Sequence, residues 1–404
     1  MKIDFGQFIH ALSDTIDLVG VDEIQHGKRV GYMARECAKT MGLTASDQLR
    51  LYRIGLLHDC GVSSTRVHKK LVDELDWPES QYHCSIGANR LQGFAPLVQF
   101  ADAVLYHHTR WDDLKRIPLS DETKEQANLI FLLDRVDALA GMEGNPNRLA
   151  ASDNICRKVA HYRNSYFKSE LVDIFLATSA KEAFWITQQP EHLRNYLQLE
   201  VNAPAELCLD ATQLTDIARI FAEIVDAKST YTAEHSFGVT RLSGHLARQC
   251  QLPETTITRM QVAGLLHDLG KLQVPDAILE HRGYLEGENL AIMRHHSYVT
   301  HMILSRINGL EEIAIWASNH HEKIDGSGYP FRRKGDELSI ESRIIIVADI
   351  FQALAQNRPY RAPLPRDTIV EMLAQQASDG KLDRDIVAFV QSEPDQCLAV
   401  ATGQ

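Results

Sequence analysis

The chain has 404 residues, 44% of them apolar, with 23 glycines and 13 prolines. That length supports two or three domains with real cores, and the composition excludes a fibrous or disordered chain. A formal charge of −12 argues against a general nucleic-acid binder, which needs a basic face, yet leaves room for a small anionic ligand in a local pocket.

The first residues, MKIDFGQFIHALSD, carry charges where a secretory leader needs an apolar core. No uninterrupted apolar run reaches the length of a membrane span. The seven cysteines form no CxxC pair, so a disulfide framework or thiolate zinc site is not expected, and a reducing cytoplasm is the expected compartment. In EIQHGKRVGYMARECAKTMGL (23–43), Val30, Met33, Ala34 and Cys37 fall on one helical face behind His26. LLHDCGVSS (56–64) brings His58 and Asp59, YHCSIG brings His83, and the pair His107–His108 follows. LIFLLDRVDALA (129–140) carries Asp134, and YFKSELVDIF covers 166–175. Prolines then interrupt the helical pattern across 188–206.

Beyond that break the chain repeats itself. AEHSFGVTRLSGHLARQCQL (233–252) offers His235 with Val239, Leu242 and Leu246 on one face. LLHDLGKLQ (265–273) carries His267, Asp268 and Lys271, and HHSYVT carries His296. His320–His321 opens HHEKIDGSGYP, and RIIIVADIFQALA (343–355) carries Asp349 and reads as a buried helix despite its β-branched run. In both halves 32 residues separate the first histidine from the HD pair, and 24 separate the next histidine from the HH pair. The offset between copies drifts only from 209 to 215. The expectation is two related helical domains: 1–190, a linker over 191–208, and 209–404.

Imidazole and carboxylate suit borderline and hard divalent ions such as iron, manganese, nickel or zinc. Seven potential ligands in the second domain exceed one ion's needs, so two ions are expected, with Asp268 as the natural bridge. Adjacent side chains diverge by about 100° on a regular helix, so His267–Asp268 and His320–His321 can each share a cavity only near a helix end or bend. Lys271 lies about one turn after Asp268, placed to face a phosphate. The DGSGYP segment has loop composition.

LLHDLGK resembles the signature of the HD superfamily of metal-dependent phosphohydrolases, and HHEKIDGSGYP resembles the motif of its HD-GYP subfamily. VPDAIL (274–279), VADIFQAL (347–354) and NRPYR (357–361) extend the likeness over residues 212–395. The resemblance implies an all-α fold of two HD-type domains in tandem and hydrolysis of a bacterial cyclic dinucleotide, cyclic di-GMP or 3′,3′-cyclic GMP-AMP, to the linear dinucleotide. It implies His235, His267, Asp268, His296, His320, His321 and Asp349 as ligands of two divalent transition-metal ions, iron, manganese or nickel first. Lys271 and Asp268 would be catalytic, and Lys271, Arg282, Tyr329, Arg358 and Arg361 would bind substrate. For Arg358 and Arg361, bracing the loop is the equal alternative. The sequence departs from the family at Tyr231, where some relatives with a third metal have glutamate, at Gln352, where aspartate is usual, and at His281–Arg282–Gly283.

The first domain keeps His26, His58, Asp59, His83, His107, His108 and Asp134, but Val62 stands where Lys271 stands and no GYP loop follows its HH pair. It is expected to be a degenerate HD domain without hydrolytic activity, with a structural or small-ligand-sensing duty, and whether it keeps a metal is left open. Two competing readings remain: a receptor that holds the nucleotide and signals onward, and a nucleotidase acting on monophosphates, against which the GYP loop speaks. The expected partner is the cyclic dinucleotide, with no polymeric nucleic acid and no membrane. A second copy of the chain, or a signalling protein, is left open as a further partner.

Overall fold

The computed structural model describes residues 1–403 except 20–24, 63–69, 71–76, 78, 143–146, 201–205, 229–231, 282 and 358–360. The described chain is helical, with one pair of short strands. It divides into two compact units, Phe5–Ala205 on one side and Met1–Asp4 with Glu206–Gln404 on the other. The first four residues therefore belong with the second unit. Lys2–Asp4 pairs antiparallel with Glu206–Cys208, Lys2 opposite Cys208, and Leu209 N–H donates to Met1 O at 2.7 Å. Nor is the stretch expected as a linker bare chain, because Pro190–Glu200 is a helix. Pro190 sits at its first position, where a missing N–H costs nothing.

Each unit is built from the same succession of helices. In the second unit these are Thr232–Gln249, Glu254–Leu266, Gly287–Leu304, Glu311–Ser318 and Ile340–Ala355. In the first they are His26–Thr40, Ala45–Leu57, Ser80–Gln92, Val98–Leu105 and Asp121–Met142. Ile340–Ala355 is the β-branched run read as a helix. It starts at Ser339, whose Oγ accepts from Ser342 N–H, and it buries Ile344, Ile345, Ile346, Val347, Ala348 and Phe351. Packing on nearly every side outweighs the weak helix propensity of isoleucine and valine: each such side chain contributes about 1.5–3 kcal/mol when buried. Asp121–Met142 is buried in the same way from Ala127 to Ala140.

Among the described residues no helix is long and apolar enough to cross a membrane. All seven cysteines are free.

Candidate metal centre

The helix Glu254–Leu266 stops at its junction with the HD pair. His267 is its C-cap, and Asp268 (φ −95°, ψ 8°) opens the 3-10 turn Leu269–Gln273. This break lets two adjacent side chains enter one cavity. Gly270 lets the turn pack against the next ligand helix, since a Cβ there would come within 2.0 Å of His296 O. A 3-10 turn repeats every three residues, so Lys271 returns over Asp268, and its Nζ lies 2.5 Å from Asp268 Oδ2. His320–His321 likewise follows a helix end, that of Glu311–Ser318.

Three of the histidines are oriented by backbone carbonyls. His267 Nδ1–H donates to Gly264 O (2.7 Å), His296 Nδ1–H to Met293 O (2.6 Å) and His320 Nδ1–H to Ala317 O (2.6 Å). Each bond reaches three residues back and leaves the Nε2 lone pair facing inward. Nε2 of His235 and His267 approach to 3.2 Å, and those of His296 and His320 to 3.0 Å. Asp268 lies between the two pairs. Its Oδ2 is 3.2 Å from His267 Nε2 and 3.9 Å from His235 Nε2. Its Oδ1 is 3.6 Å from His296 Nε2 and 3.9 Å from His320 Nε2. Asp349 Oδ1 is 3.0 Å from His235 Nε2, and its Oδ2 is 3.7 Å from His321 Nδ1.

Two ligand trios result, His235–His267–Asp268 and His296–His320–His321, each with its ligand atoms within 4.8 Å of one another. Asp268 Oδ1 is buried with no hydrogen-bond partner. A buried carboxylate oxygen without a donor calls for a cation, so the donor set fits divalent ions. Burial alone would raise the Asp268 carboxyl. The charges of His267 and Lys271 outweigh it and hold the group well below the usual carboxylate range. Burial lowers His296 to about 4 and His321 to about 3, which keeps both imidazoles neutral and free to ligate.

The cluster meets solvent at one end. Lys271 and His321 are 20% and 30% exposed, against 0% for His267 and His320. Tyr329 stands at this mouth, its ring 4.8 Å from that of His321, and the guanidinium of Arg294 lies 5.1 Å from the Tyr329 ring centre. Arg361 Nη2 donates to Ala353 O (2.6 Å) and Leu354 O (3.3 Å); this is bracing of the Ile340–Ala355 helix end. Arg282 and Arg358 lie outside the described residues.

Two supporting roles escaped the sequence reading. Gln352 Oε1 accepts from His235 Nδ1–H at 2.6 Å, so this departure from the family's aspartate still orients the first ligand. Glu322, fully buried, gathers the GYP loop: its Oε1 accepts from the N–H groups of Phe331 (2.7 Å) and Arg332 (3.1 Å), and its Oε2 from that of Arg333 (3.1 Å). Gly328 crosses the Glu322 backbone so closely that a Cβ would fall 2.4 Å from Glu322 Cα. The signal for Glu322 was its place inside the HHEKIDGSGYP stretch, but nothing in spacing alone says that a carboxylate there turns inward.

The first unit reproduces the scaffold. His26 and His58 Nε2 lie 3.2 Å apart, and His83 and His107 Nε2 lie 3.3 Å apart. His58 Nδ1–H donates to Gly55 O and His107 Nδ1–H to Val104 O. Even the turn is shared: Val62 N–H reaches Asp59 O at 2.9 Å, as Lys271 N–H reaches Asp268 O at 2.9 Å. The side chains differ. Val62 is buried and uncharged, and His108 is 5% exposed where His321 is 30%.

Models of the HD domain family match residues 24–140 and 214–386. The 3′3′-cGAMP-specific phosphodiesterase 1 of Vibrio cholerae is 37% identical over 395 residues, which are 95% of this chain and 90% of that one. The chain belongs to the HD-GYP branch of the HD phosphohydrolase superfamily. A cyclic di-GMP phosphodiesterase of Thermotoga maritima is 35% identical over 221 residues, 54% of each chain. The crystal structure of a cyclic GMP-AMP specific phosphodiesterase from V. cholerae superimposes with a TM-score of 0.65 at 23% identity, over 100% of this chain and 98% of that one. That match supports the fold of this HD-GYP protein, two HD domains in tandem.

Proposed function

We propose that the second unit is a metal-dependent phosphodiesterase that opens cyclic dinucleotides to the linear dinucleotide. The observation that carries this reading is Asp268, whose two carboxylate oxygens face two separate histidine pairs while one of them has no donor. His235, His267, Asp268, His296, His320, His321 and Asp349 would hold two divalent ions. When bound, such a pair supplies a nucleophile at neutral pH and neutralises phosphodiester charge.

The chain's own residues do the rest. Lys271 offers an ammonium at the exposed end, beside the carboxylate that bridges the site, and balances charge as it builds on the phosphate. Tyr329 walls the mouth and offers a ring face to a base, and Arg294 adds a cation behind it. Glu322 holds the loop so that this ring stays against His321. Likeness along 95% of the chain to an enzyme named for 3′,3′-cyclic GMP-AMP favours that substrate over cyclic di-GMP.

A matched assay tests this. The purified protein, loaded with Mn²⁺ or Fe²⁺, is incubated with each cyclic dinucleotide and the products are separated. Linear dinucleotide is expected from both, faster from 3′,3′-cyclic GMP-AMP. No product from either, with metal bound at full stoichiometry, would replace this reading with that of a nucleotide receptor.

A further inference from the structure

The first unit holds a second buried cluster that the hydrolytic reading does not use. Ligand atoms of Asp59, His83, His107 and His108 all lie within 4.8 Å of one another, and all four residues are buried. The spacing has the dimensions of a tetrahedral ion site. Metal–nitrogen bonds of about 2.0–2.1 Å put two nitrogens about 3.3–3.4 Å apart across a tetrahedral ion. His83 Nε2 and His107 Nε2 are 3.3 Å apart, and Asp59 Oδ1 is 3.3 Å from the former and 3.8 Å from the latter.

A thiol beside His83 distinguishes this cluster from its counterpart. Cys84 Sγ lies 3.8 Å from His83 Nε2. A zinc–sulfur bond of about 2.3 Å would set that separation at about 3.5–3.6 Å, a few tenths of an ångström from the distance observed. In the second unit the same place belongs to Ser297, whose Oγ is 3.2 Å from His296 Nε2. A thiol thus replaces a hydroxyl, and thiolate selects softer ions than imidazole and carboxylate alone. In the present geometry Cys84 S–H donates to Ser80 O at 3.4 Å.

The other half of the cluster is already neutralised from within the protein. Arg135 donates to Asp134 Oδ2 from Nη2 (2.8 Å) and Nε (3.2 Å). Arg29 donates to both oxygens of Asp137 at 2.7 Å, and Arg148 to Oδ1 at 2.5 Å. In the second unit Ile350 stands where Arg135 does and Gly238 where Arg29 does, neither of them cationic. Guanidinium groups therefore stand beside Asp134 and Asp137, and the Asp59 side is left for one ion. Among the described residues, Val62 and His108 are both buried, where Lys271 and His321 of the second unit reach solvent.

We propose that the first unit binds one thiophilic divalent ion, zinc by its chemistry, on Asp59, His83 and His107 with Cys84 as its thiolate ligand. The thiol proton leaves to solvent as the ion enters. The site is structural, and it stands or falls independently of hydrolysis in the second unit.

The test uses the full chain loaded with Co²⁺, read through the near-ultraviolet thiolate-to-cobalt band. The band is expected in the unmodified protein and in Cys60→Ser, and it is lost in Cys84→Ser, which installs the hydroxyl of the second unit. His83→Gln, which keeps the thiol, also loses it. Hydrolysis by Cys84→Ser stays within twofold of the unmodified enzyme. X-ray absorption of the zinc-loaded unmodified chain gives a readout that needs no variant: a sulfur neighbour at about 2.3 Å is expected. Cobalt bound at full stoichiometry without the band, a band that survives Cys84→Ser, or zinc with only nitrogen and oxygen neighbours would each overturn the proposal.

Discussion

In the proposed metal site, His235 depends on a residue that would touch no ion. His235 Nδ1–H is held by Gln352 Oε1, and groups in that role tune metal affinity by about 10–100-fold. Gln352→Ala is expected to weaken metal retention by that factor, measured by competition with a chelator, because His235 is then free to rotate. Unchanged retention would show that Asp349, 3.0 Å from Nε2, fixes the ring alone. Lys271→Ala is expected to keep both ions and lower turnover by about 10²–10³-fold, measured as metal content and initial rate on one preparation. Full activity would remove Lys271 from the mechanism. These residues were unequally legible. His235, His267 and Asp268 could be read from spacing, because a repeated interval of 32 residues survives any detail of packing. Gln352 was visible as a departure, but its partner lies 117 residues away and only the folded chain identifies it. Cys84 and Arg135 stand directly beside His83 and Asp134 in the sequence, but adjacency alone does not say which way a side chain turns.

At the scale of the element, both HD pairs and both HH pairs depend on where a helix stops. Their expected position at helix ends follows from the angle between adjacent side chains, and the breaks after Leu266 and after Ser318 meet that requirement. The helical reading of RIIIVADIFQALA also holds, through burial that local propensity does not report. In the region expected as a linker, the helical pattern breaks between Ile186 and Pro190, and Pro190 then starts a further helix, Pro190–Glu200. The GYP loop was legible as a loop, but what anchors it was not. Glu322 accepts three backbone N–H groups with two oxygens, and an amide in its place would turn an NH₂ toward a donor. Glu322→Gln is therefore expected to cost about 1–3 kcal/mol of stability. It should also lower turnover by loosening Tyr329 against His321, while the metal content stays unchanged. Urea unfolding and the rate on one sample check this, and a variant as stable and active as the parent would show that the glycines shape the loop without the carboxylate.

For the whole molecule, two buried clusters of imidazoles tie stability to metal and to pH. In the metal-free protein His296 is lowered by burial to about 4, against 6.5 for an ordinary histidine. Burial displaces His83, His108, His320 and His321 in the same direction. A histidine with a depressed folded-state pKa binds fewer protons folded than unfolded. Its contribution is complete above about pH 6.5 and is lost as pH falls toward the folded value. For His296 alone, that loss is on the order of 3 kcal/mol. His26 and His267 work in the opposite sense: burial lowers them, but neighbouring aspartates raise them further, so their contribution is full below pH 6.5 and offsets part of the loss. The depressed groups outnumber the raised ones, so the melting temperature of the chelator-treated protein is expected to fall steadily from pH 7 to pH 4.5. Bound ions occupy the same lone pairs and shift that fall to lower pH, where protons displace them. Scanning calorimetry across this range, with and without chelator, separates the two curves. A metal-free curve that stays flat would mean that the imidazoles are already protonated in the folded chain, and that the clusters are held by ion pairs with their aspartates.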